Sequence, residues 1–356
     1  MSEVLTCRII ETEEELVAQR EAWQRLYEAH PRRQVFYSPT WHEVWWSVFG
    51  QSGTLCAPAV FDGEELVALL LLRRDGVRLR FAGIPENDYC DLLCAGHDPG
   101  AVLDRMLRAL EDAGHVEAEL EFVPEDALLR QAVDALPAAW ERRTRWTYRD
   151  PCPTSLLDED VLRAILAKKS LHRHEKKLMK RGEVVLRHVE DVEEALALLP
   201  VFFDQHAGRR AQVGDVSLFQ TDRARRFYEG LVRSMDLGRE LRFAVLEAGG
   251  RPVAFHFGFE VDGRLTWYKT SFDVELAREG PGEVLLKRLF EYAGEHGLAE
   301  LDFTRGAEAF KERFANLVRT NYTLHVLPSG LGGRVRGVLL DAREWAREKK
   351  RQARSR

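Results

Sequence analysis

The sequence has few features that would mark a secreted, disulfide-bonded or membrane-spanning protein. Its 356 residues contain five cysteines, an odd number, and no apolar run long enough to cross a bilayer. Neither a disulfide framework nor a transmembrane helix is therefore predicted. The first residues also lack a basic segment followed by an apolar stretch of signal-peptide length. These absences predict a cytoplasmic protein with reduced cysteines and no membrane span.

Charge and metal-ligand patterns exclude further classes. The net charge of −6 and the pI near 6.1 give no overall attraction to nucleic acid or to anionic membranes. Cys90 and Cys94 form a single pair with no second pair or histidine cluster to complete a zinc site, so no metal is predicted. The length and a hydrophobic content of 45% are sufficient for two domains with substantial cores.

The two halves of the chain repeat the same pattern. Strand-like runs joined by Asp-Gly or Gly-Gly turns occupy residues 54–83 and again 241–272, and each set predicts an antiparallel meander. Each meander is followed by a helix opened by Pro-Gly and then by a strand. Pro99 and Pro281 are 182 residues apart, and Glu119 and Glu300 are 181 apart. We predict two copies of one α/β domain, over 1–150 and 151–330, followed by a basic helix or tail over 331–356.

The stretch AREGPGEVLLKRLFEYA, residues 277–293, raises the question of whether its loop holds a phosphate. The apolar residues from Leu286 to Ala293 share one helix face, and proline suits the first helical position, so a helix is predicted from Pro281. Gly280 and Gly282 would let an anion approach the positive end of that helix. An ordinary strand-to-helix turn would have the same local sequence.

The repeated unit resembles the acetyltransferase fold of the GNAT superfamily. The loop AREGPG is similar to that superfamily's Arg/Gln-x-x-Gly-x-Gly/Ala signature, although it is one residue shorter. A narrower resemblance, to tandem-GNAT proteins of the BioF2-like and CelD-like acyltransferases and more distantly to Fem-type peptidyl transferases, rests on four stretches. These are FYSPTWHEVWW (36–46), NDYCDLL (87–93), KKSLHRHEKKLMKRG (168–182) and LDFTRGAEAFKERF (301–314).

The resemblance implies a fold, a co-substrate and two roles for the domains. The fold would be α/β, with two tandem GNAT-like domains built on mostly antiparallel mixed sheets flanked by helices. The second domain would bind acyl-CoA, carrying acetyl or a longer chain, and the first would form much of the acceptor site. The acyl-CoA contacts would come from the glycine loop: Arg278, Gly280, Gly282, Glu283 and Val284.

Four residues are candidates for catalysis. By the resemblance, Lys311 of the Phe-Lys pair would stabilise negative charge that develops during acyl transfer. Asp302 could orient Lys311 or the substrate amine. His256, which alternates with phenylalanines on its strand, could take a proton from the attacking ammonium, and Tyr268 could protonate the departing thiolate. Each of these residues also has an ordinary structural explanation.

Other residues are candidates for contacts with the acceptor. They are Asp88, Tyr89 and Asp91 in the first domain and His206 and Arg209 in the second. The basic segment 168–182 is either a solvated helix or a surface that attracts the phosphates of CoA or of an anionic acceptor. Few aromatic residues interleave with its charges, so nucleic acid is only weakly indicated.

The sequence therefore predicts an N-acyltransferase that moves an acyl group from acyl-CoA to an amine by direct attack in a ternary complex. The acceptor would be a small molecule or a cell-envelope or polysaccharide precursor. Two alternatives stay open: a Fem-type transferase that takes an aminoacyl group from tRNA, and a tandem module that binds a ligand without catalysis.

Overall fold

A computed structural model describes residues 5–115 and 117–354, and its strands account for most of the predicted meanders. The strands are β1 Thr6–Ile10, β2 Thr54–Leu55, β3 Ala57–Asp62, β4 Glu65–Leu69, β5 Leu72–Asp75, β6 Arg78–Phe81, β7 Leu93–Cys94, β8 Ala118–Pro124, β9 Thr144–Leu156, β10 Val184–Val189, β11 Leu241–Ala248, β12 Arg251–Val261, β13 Arg264–Phe272, β14 Glu300–Asp302 and β15 Leu317–Val326.

Helices cover the sheets and include those that the capping residues predicted. They are α1 Glu13–Ala18, α2 Arg20–Ala29, α3 Pro39–Phe49, α4 Pro99–Asp112, α5 Leu128–Asp134, α6 Ala138–Glu141, α7 Glu159–Leu166, α8 Lys169–Leu178, α9 Val192–Gln212, α10 Asp222–Ser234, α11 Pro281–Glu295, α12 Ala309–Glu312 and α13 Leu331–Arg354. Residues 355 and 356 of the predicted C-terminal helix or tail lie outside the described residues.

The chain divides into two compact units. One comprises residues 1–151 together with 319–356, and the other comprises residues 152–318. Strand β9 runs from the first unit into the second, and β15 returns the chain to the first. The first unit therefore contains the last part of β15 and the whole of α13.

The second unit is built on the sheet order β10-β11-β12-β13-β14. Strands β11, β12 and β13 form the predicted antiparallel meander, with Phe257 opposite Phe243 and His256 opposite Thr270. Strand β14 is parallel to β13, and helix α11 connects them. The predicted α/β fold, a mostly antiparallel mixed sheet flanked by helices, is confirmed.

The two faces of β12 differ as the alternation of its residues predicts. Phe255 and Phe257 pack against Phe202 of α9, with ring centroids 6.1 Å away in both cases. His256 points to the other side, where its ring stacks on Trp267 at 5.7 Å. The aromatic layer around Phe202 thus fills one side of the sheet, and α11 covers the other.

The first unit departs from the simple meander that its sequence predicts. The long apolar run after Glu64 divides into β4 and β5, and the two strands enter different sheets. One sheet has the order β1-β3-β4-β7, and the other includes β15-β8-β6-β5-β2. Within this unit β6 and β8 are parallel and are connected through α4, as β13 and β14 are through α11.

Candidate functional site

The glycine loop begins α11 with the geometry that its sequence predicts. Gly280 is the N-cap residue with φ 72° and ψ 47°, a left-handed conformation that favours glycine, and Pro281 opens the helix. A β-carbon at Gly280 would lie 2.6 Å from the imidazole ring of His174. The ring of His174 therefore covers the face of Gly280 that a side chain would otherwise occupy.

The two parallel strands beside this loop part at a defined point. Their pairing runs from Arg264 opposite Glu300 to Thr266 opposite Asp302, where β14 ends. Strand β13 continues beyond this point to Phe272, and the short 3-10 helix Val274–Leu276 leads from it to the loop. An opening between β13 and the chain that follows β14 results, next to the N-terminus of α11.

A cavity of about 260 Å³ occupies this region of the second unit. Its lining is largely apolar, with an arginine, a histidine, a glutamate and two hydroxyl-bearing side chains. The lining residues are His174, Arg209, Trp267, Thr270, Ser271, Phe272, Ala277, Gly280, Pro281, Gly282, Glu283, Leu285, Leu286 and Phe310. The volume is near the lower end of small-molecule pockets, about 300–1,000 Å³.

Arg209 is a predicted substrate contact that the structure places at this cavity. Its Nη1 donates to the carbonyl oxygen of Thr270 at 3.2 Å and to the Thr270 hydroxyl at 3.1 Å, and its guanidinium lies 5.3 Å from the ring centroid of Phe272. Burial lowers its pKa, with a further contribution from Arg210. Among the described residues it makes no ion pair with a carboxylate, so its charge is available to an anion in the cavity.

Glu283 neutralises part of the positive charge around the glycine loop. Its carboxylate accepts a hydrogen bond of 2.8 Å from Arg313, and its Oε2 lies 3.2 Å from His174 Nδ1 without hydrogen-bond geometry. Burial alone would raise the pKa of Glu283, but Arg313 and His174 lower it below its ordinary value. The N-terminus of α11 thus already faces one negative charge.

The other two predicted loop contacts have different surroundings. Arg278 is exposed, and its carbonyl oxygen accepts a hydrogen bond of 3.0 Å from Lys177. Val284 is fully buried in the core of the second unit. Its backbone N–H donates to the carbonyl oxygen of Gly280 at 3.2 Å, so neither its side chain nor its N–H is directed at a ligand.

Lys311 lies in a tight turn beside the cavity rather than on its lining. The side chain is buried, and its ammonium donates to the carbonyl oxygen of Arg305 at 2.8 Å and pairs with Glu308 at 2.9 Å. The adjacent Phe310 does line the cavity. Asp302 is buried at the end of β14 and accepts a hydrogen bond of 2.8 Å from the backbone N–H of Thr304.

The predicted base and acid, His256 and Tyr268, do not reach the cavity lining. His256 has no exposed surface, and its Nε2 donates to the carbonyl oxygen of Thr266 at 3.0 Å. Burial lowers its pKa to about 3. Tyr268 points into the aromatic layer, where its hydroxyl accepts a hydrogen bond of 3.3 Å from the hydroxyl of Tyr228. A bound substrate at the cavity would meet neither group in this conformation.

His206 has a comparable structural environment. It is buried in α9, and its Nδ1 lies 2.8 Å from the hydroxyl of Ser217, a hydrogen-bond distance. Burial lowers its pKa to about 3, with a further contribution from Arg210. The structure therefore separates His206 from Arg209, which lies at the cavity.

The acidic candidates of the first unit are buried and bonded to the protein. Asp91 accepts hydrogen bonds from the backbone N–H groups of Leu128 and Leu129, at 2.9 and 2.7 Å, and so caps the start of α5. The carbonyl oxygen of Asp88 accepts from the side chain of Asn321 at 2.8 Å. Tyr89 is buried near Phe36, with ring centroids 6.0 Å apart.

The corresponding loop of the first unit is capped and packed by the protein itself. Asp98 is the N-cap residue of α4, and its carboxylate accepts a hydrogen bond of 2.7 Å from the N–H of Ala101. A β-carbon at Gly100 would lie 2.6 Å from the side chain of Ala135. The N-terminus of α4 is therefore capped internally and packed against the residue that follows α5.

The basic segment forms a groove on the surface of the second unit. Its residues belong to α8 and to the short 3-10 helix Met179–Arg181 that follows. The groove has a volume of about 510 Å³ and is lined by Lys169, His172, Arg173, Lys176, Lys177 and Lys180. Lys177 links this surface to the glycine loop through its contact with Arg278.

Several cavity residues gave no sign of function in the sequence. Trp267, Phe272 and Leu285 read as ordinary strand and helix residues, because their spacing shows burial but not the presence of a cavity. His174 was one polar residue among many in the basic segment. Its place above Gly280 depends on the packing of α8 against α11, which sequence spacing does not show.

Because several histidines are buried with lowered pKa values, we expect acid to destabilise the fold at pH values well above those at which carboxylates titrate. Burial lowers the pKa of His256 and His206 to about 3 and that of His42 to about 4, against an ordinary value of 6.5. Below pH 6.5 the unfolded chain binds protons that the folded chain does not, so stability falls with pH. Each histidine contributes about 1.4 kcal/mol per pH unit.

Chemical denaturation at a series of pH values between 7 and 5 measures this effect. We expect the unfolding midpoint to fall steadily with pH, and His256→Gln to make the fall less steep. An unfolding free energy that is constant across this interval would contradict the prediction.

Two kinds of feature, a metal-binding cluster and a membrane-spanning helix, are absent from the part of the chain that the structure describes. Residues 5–115 and 117–354 contain no group of three or more His, Cys, Asp or Glu side chains placed to hold a metal ion. Within the same residues, no helix combines the length and apolar character needed to cross a membrane.

Comparison with known proteins supports the fold assigned above. Residues 166–312 match the family model described as an acetyltransferase (GNAT) domain. This match includes the glycine loop, Arg209 and Lys311. Among curated proteins, none matches the sequence significantly.

Solved structures match over most of the chain at low sequence identity. FemX aligns with a TM-score of 0.58 and 10% identity, covering 85% of this chain and 95% of FemX. The C-terminal domain of a putative lysylphosphatidylglycerol synthetase from Agrobacterium fabrum aligns with a TM-score of 0.58 and 14% identity. This alignment covers 92% of this chain and 95% of that domain. L-PGS from Bacillus licheniformis aligns with a TM-score of 0.52 and 15% identity, covering 77% of this chain and 85% of L-PGS. The chain therefore has the fold of GNAT-type acyltransferases, and the narrower resemblance to BioF2-like and CelD-like proteins remains an expectation.

Proposed function

We propose that the protein transfers an acyl group from acyl-CoA to an amine acceptor, with the donor bound by the second unit. The observation that carries this proposal is the cavity where β13 and β14 part, with the glycine loop and the N-terminus of α11 on its lining. A helix N-terminus favours an anion, and an adjacent apolar cavity favours an acyl chain. The helix N-terminus would therefore suit the pyrophosphate of acyl-CoA, and the apolar cavity would suit its acyl group.

The size of the cavity assigns it to the reactive end of the donor. About 260 Å³ is sufficient for a short acyl group and the neighbouring pantetheine atoms, and the rest of CoA would lie outside. The side chains of Trp267, Leu285 and Phe310 would contact the acyl chain. The pyrophosphate would lie at the loop, where Arg313 is a nearby cation and the His174 ring lies against Gly280.

The reaction requires little covalent participation by the protein. The acceptor amine attacks the thioester carbonyl, the C–N bond forms, the C–S bond breaks, and the thiolate leaves. The ammonium proton passes to solvent or to a base, and the thiolate takes up a proton. Arg209 would hold an anionic group of the acceptor, because its guanidinium lines the cavity without a carboxylate partner. Lys311 would act through its charge on the turn beside Phe310.

We infer an acceptor that carries a carboxylate or phosphate beside its amine. A small amino acid-like molecule and a cell-envelope precursor both meet this requirement. FemX and the lysylphosphatidylglycerol synthetase domain share the fold at 10% and 14% identity, so their own substrates do not identify this acceptor.

A second candidate donor is aminoacyl-tRNA. The groove of Lys169, Arg173 and Lys176 favours it, because closely spaced cations suit a phosphate backbone. Glu283 also favours it, because a carboxylate at the start of α11 opposes a second anion there. The cations of the basic groove are open to solvent, and contact with water alone is enough to accommodate their charge. The groove therefore does not require a nucleic acid, and acyl-CoA stays the first proposal.

A thermal-shift panel of acetyl-CoA, longer acyl-CoAs, free CoA and aminoacyl-tRNA separates these donors. A ligand at 100 times its dissociation constant adds about 2.7 kcal/mol to the free energy of unfolding, which is enough to shift a melting curve visibly. We expect acyl-CoA and CoA to stabilise the protein. Stabilisation by aminoacyl-tRNA alone, with an affinity that falls steeply as salt rises, would replace the proposed donor with tRNA. Tight CoA binding without turnover on any amine would indicate a binding module.

A further inference from the structure

The last helix of the first unit, α13, leaves an apolar face uncovered. Leu331, Val335, Val338 and Trp345 are each at least half exposed, and they recur at intervals of four, three and seven residues. This spacing aligns them along one side of a helix, with the exposed Ala342 between Val338 and Trp345. We call these five residues, with the half-exposed Leu339 at their edge, the C-terminal apolar face.

The opposite side of α13 attaches the helix to its own unit. Gly333 and Gly337 are buried there, and a β-carbon at Gly337 would lie 3.3 Å from the side chain of Leu327. Asp341 pairs with Arg145 at 3.0 Å, and Arg336 pairs with Glu117. The apolar face is therefore directed outward by contacts on the other side of the helix.

Charges are sorted around α13 in a consistent way. At 100° per residue, Arg343 and Lys350 border the apolar face beside Leu339, and Arg334 borders its other edge. The acidic residues Asp341, Glu344 and Glu348 lie toward the side of the buried glycines. Residues 331–356 contain nine Lys and Arg against three Asp and Glu, although the whole chain has a net charge of −6.

We propose that α13 lies on the surface of an anionic lipid bilayer, with its apolar face in the interface. A helix with an apolar side and flanking cations binds in the plane of such a surface, and tryptophan favours the level of the headgroups. The cations beside the face would contact lipid phosphates, while the acidic residues point away. Lys349 Nζ, 5.9 Å from the Trp345 ring centroid, can extend to the same headgroup layer.

Two other occupants fit the helix less well. Two copies of α13 packed face to face would bring their bordering arginines together, and like charges oppose that contact. Nucleic acid would satisfy the cations but would leave Val335, Val338 and Leu339 in water. An anionic bilayer satisfies both the apolar and the charged parts of the surface.

Vesicle flotation of the full chain tests this proposal. We expect binding to vesicles of phosphatidylglycerol and phosphatidylcholine, and little binding to phosphatidylcholine alone. Arg334→Gln, Arg343→Gln and Lys350→Gln combined should lower binding on the order of 10²-fold, because each cation contributes about fivefold. Val338→Ser, Leu339→Ser and Trp345→Ser combined should lower it at least about tenfold without changing the charge.

Matched variants elsewhere in the chain serve as controls. Arg223→Gln, Arg226→Gln and Arg239→Gln remove three exposed cations of the second unit and should leave vesicle binding unchanged. All substituted positions in α13 are exposed, so circular dichroism should show an intact fold.

Three results would overturn the proposal. The first is binding that survives both α13 variants but is lost in Lys169→Gln, Arg173→Gln and Lys176→Gln combined, which would assign the lipid contact to α8. The second is a protein that does not float with anionic vesicles and sediments as a dimer that the serine variant dissociates. The third is binding to RNA that the glutamine variant removes, with no binding to vesicles.

Discussion

Lys311→Met is expected to lower turnover on the order of 10²-fold or more while CoA affinity stays within a few fold. A cation that stabilises developing negative charge through its field acts mainly in the transition state, so its loss appears in kcat rather than in donor binding. Methionine replaces the buried stem of Lys311 with a side chain of similar length. Its former partner Glu308 is 54% exposed, so the substitution leaves no buried carboxylate without a partner. Steady-state kinetics and calorimetry measure the two quantities.

Glu308→Gln distinguishes the charge of Lys311 from its role in holding the turn. The ammonium contacts both Glu308 and the carbonyl oxygen of Arg305, so it could keep Phe310 at the cavity without acting on the substrate. If charge is the cause, Glu308→Gln keeps turnover or raises it, since less of the positive charge is neutralised. Equal losses in both variants would make Lys311 a positioning residue. Unchanged turnover in Lys311→Met would remove it from the site.

Local sequence signals predicted the elements that surround the cavity. Gly280 and Pro281 specify the start of α11 through their own backbone preferences. The turn residues of the meander specify its hairpins in the same local way. Asp98 at the start of α4 is a third case, because an N-cap needs only its own side chain and the next backbone N–H groups. Such features depend on a few neighbouring residues, which is why sequence alone identifies them.

The surroundings of individual candidate residues could not be predicted in the same way. Strand alternation correctly placed His256 on the face of β12 that points away from the phenylalanines. It did not show that α11 would cover that face completely. Asp91 had the polarity of a substrate contact, but its actual partners include the N–H groups at the start of α5 and the buried ring of His30. These outcomes depend on packing between segments that are distant in sequence.

Gly282→Glu is expected to abolish CoA binding by calorimetry, a loss of at least about 10²-fold. A β-carbon at Gly282 would lie 3.3 Å from the ring of Phe272, and both residues line the cavity. The new carboxylate would therefore extend into the space assigned to the donor, and it would add a second negative charge beside Glu283 at the start of α11. Phe272 is only half-buried and can move by the few tenths of an ångström that the β-carbon requires.

The duplicated loop of the first unit supplies the matched control, although not at the equivalent glycine. Gly100→Glu would force a side chain into Ala135 and disturb folding, whereas the next residue, Ala101, is exposed. Ala101→Glu places a carboxylate in the first turn of α4 and should leave CoA affinity within a few fold.

Glu283→Gln should act in the opposite direction to Gly282→Glu, because it removes a charge that competes with the donor's pyrophosphate. We expect CoA affinity to rise about fivefold, the size of one charge at a helix terminus. If Ala101→Glu removes CoA binding and Gly282→Glu does not, the donor belongs to the first unit and AREGPG is only the turn that begins α11. If neither glutamate variant changes CoA affinity and Glu283→Gln has no effect, the phosphates lie elsewhere, and the basic groove of α8 becomes the site to test.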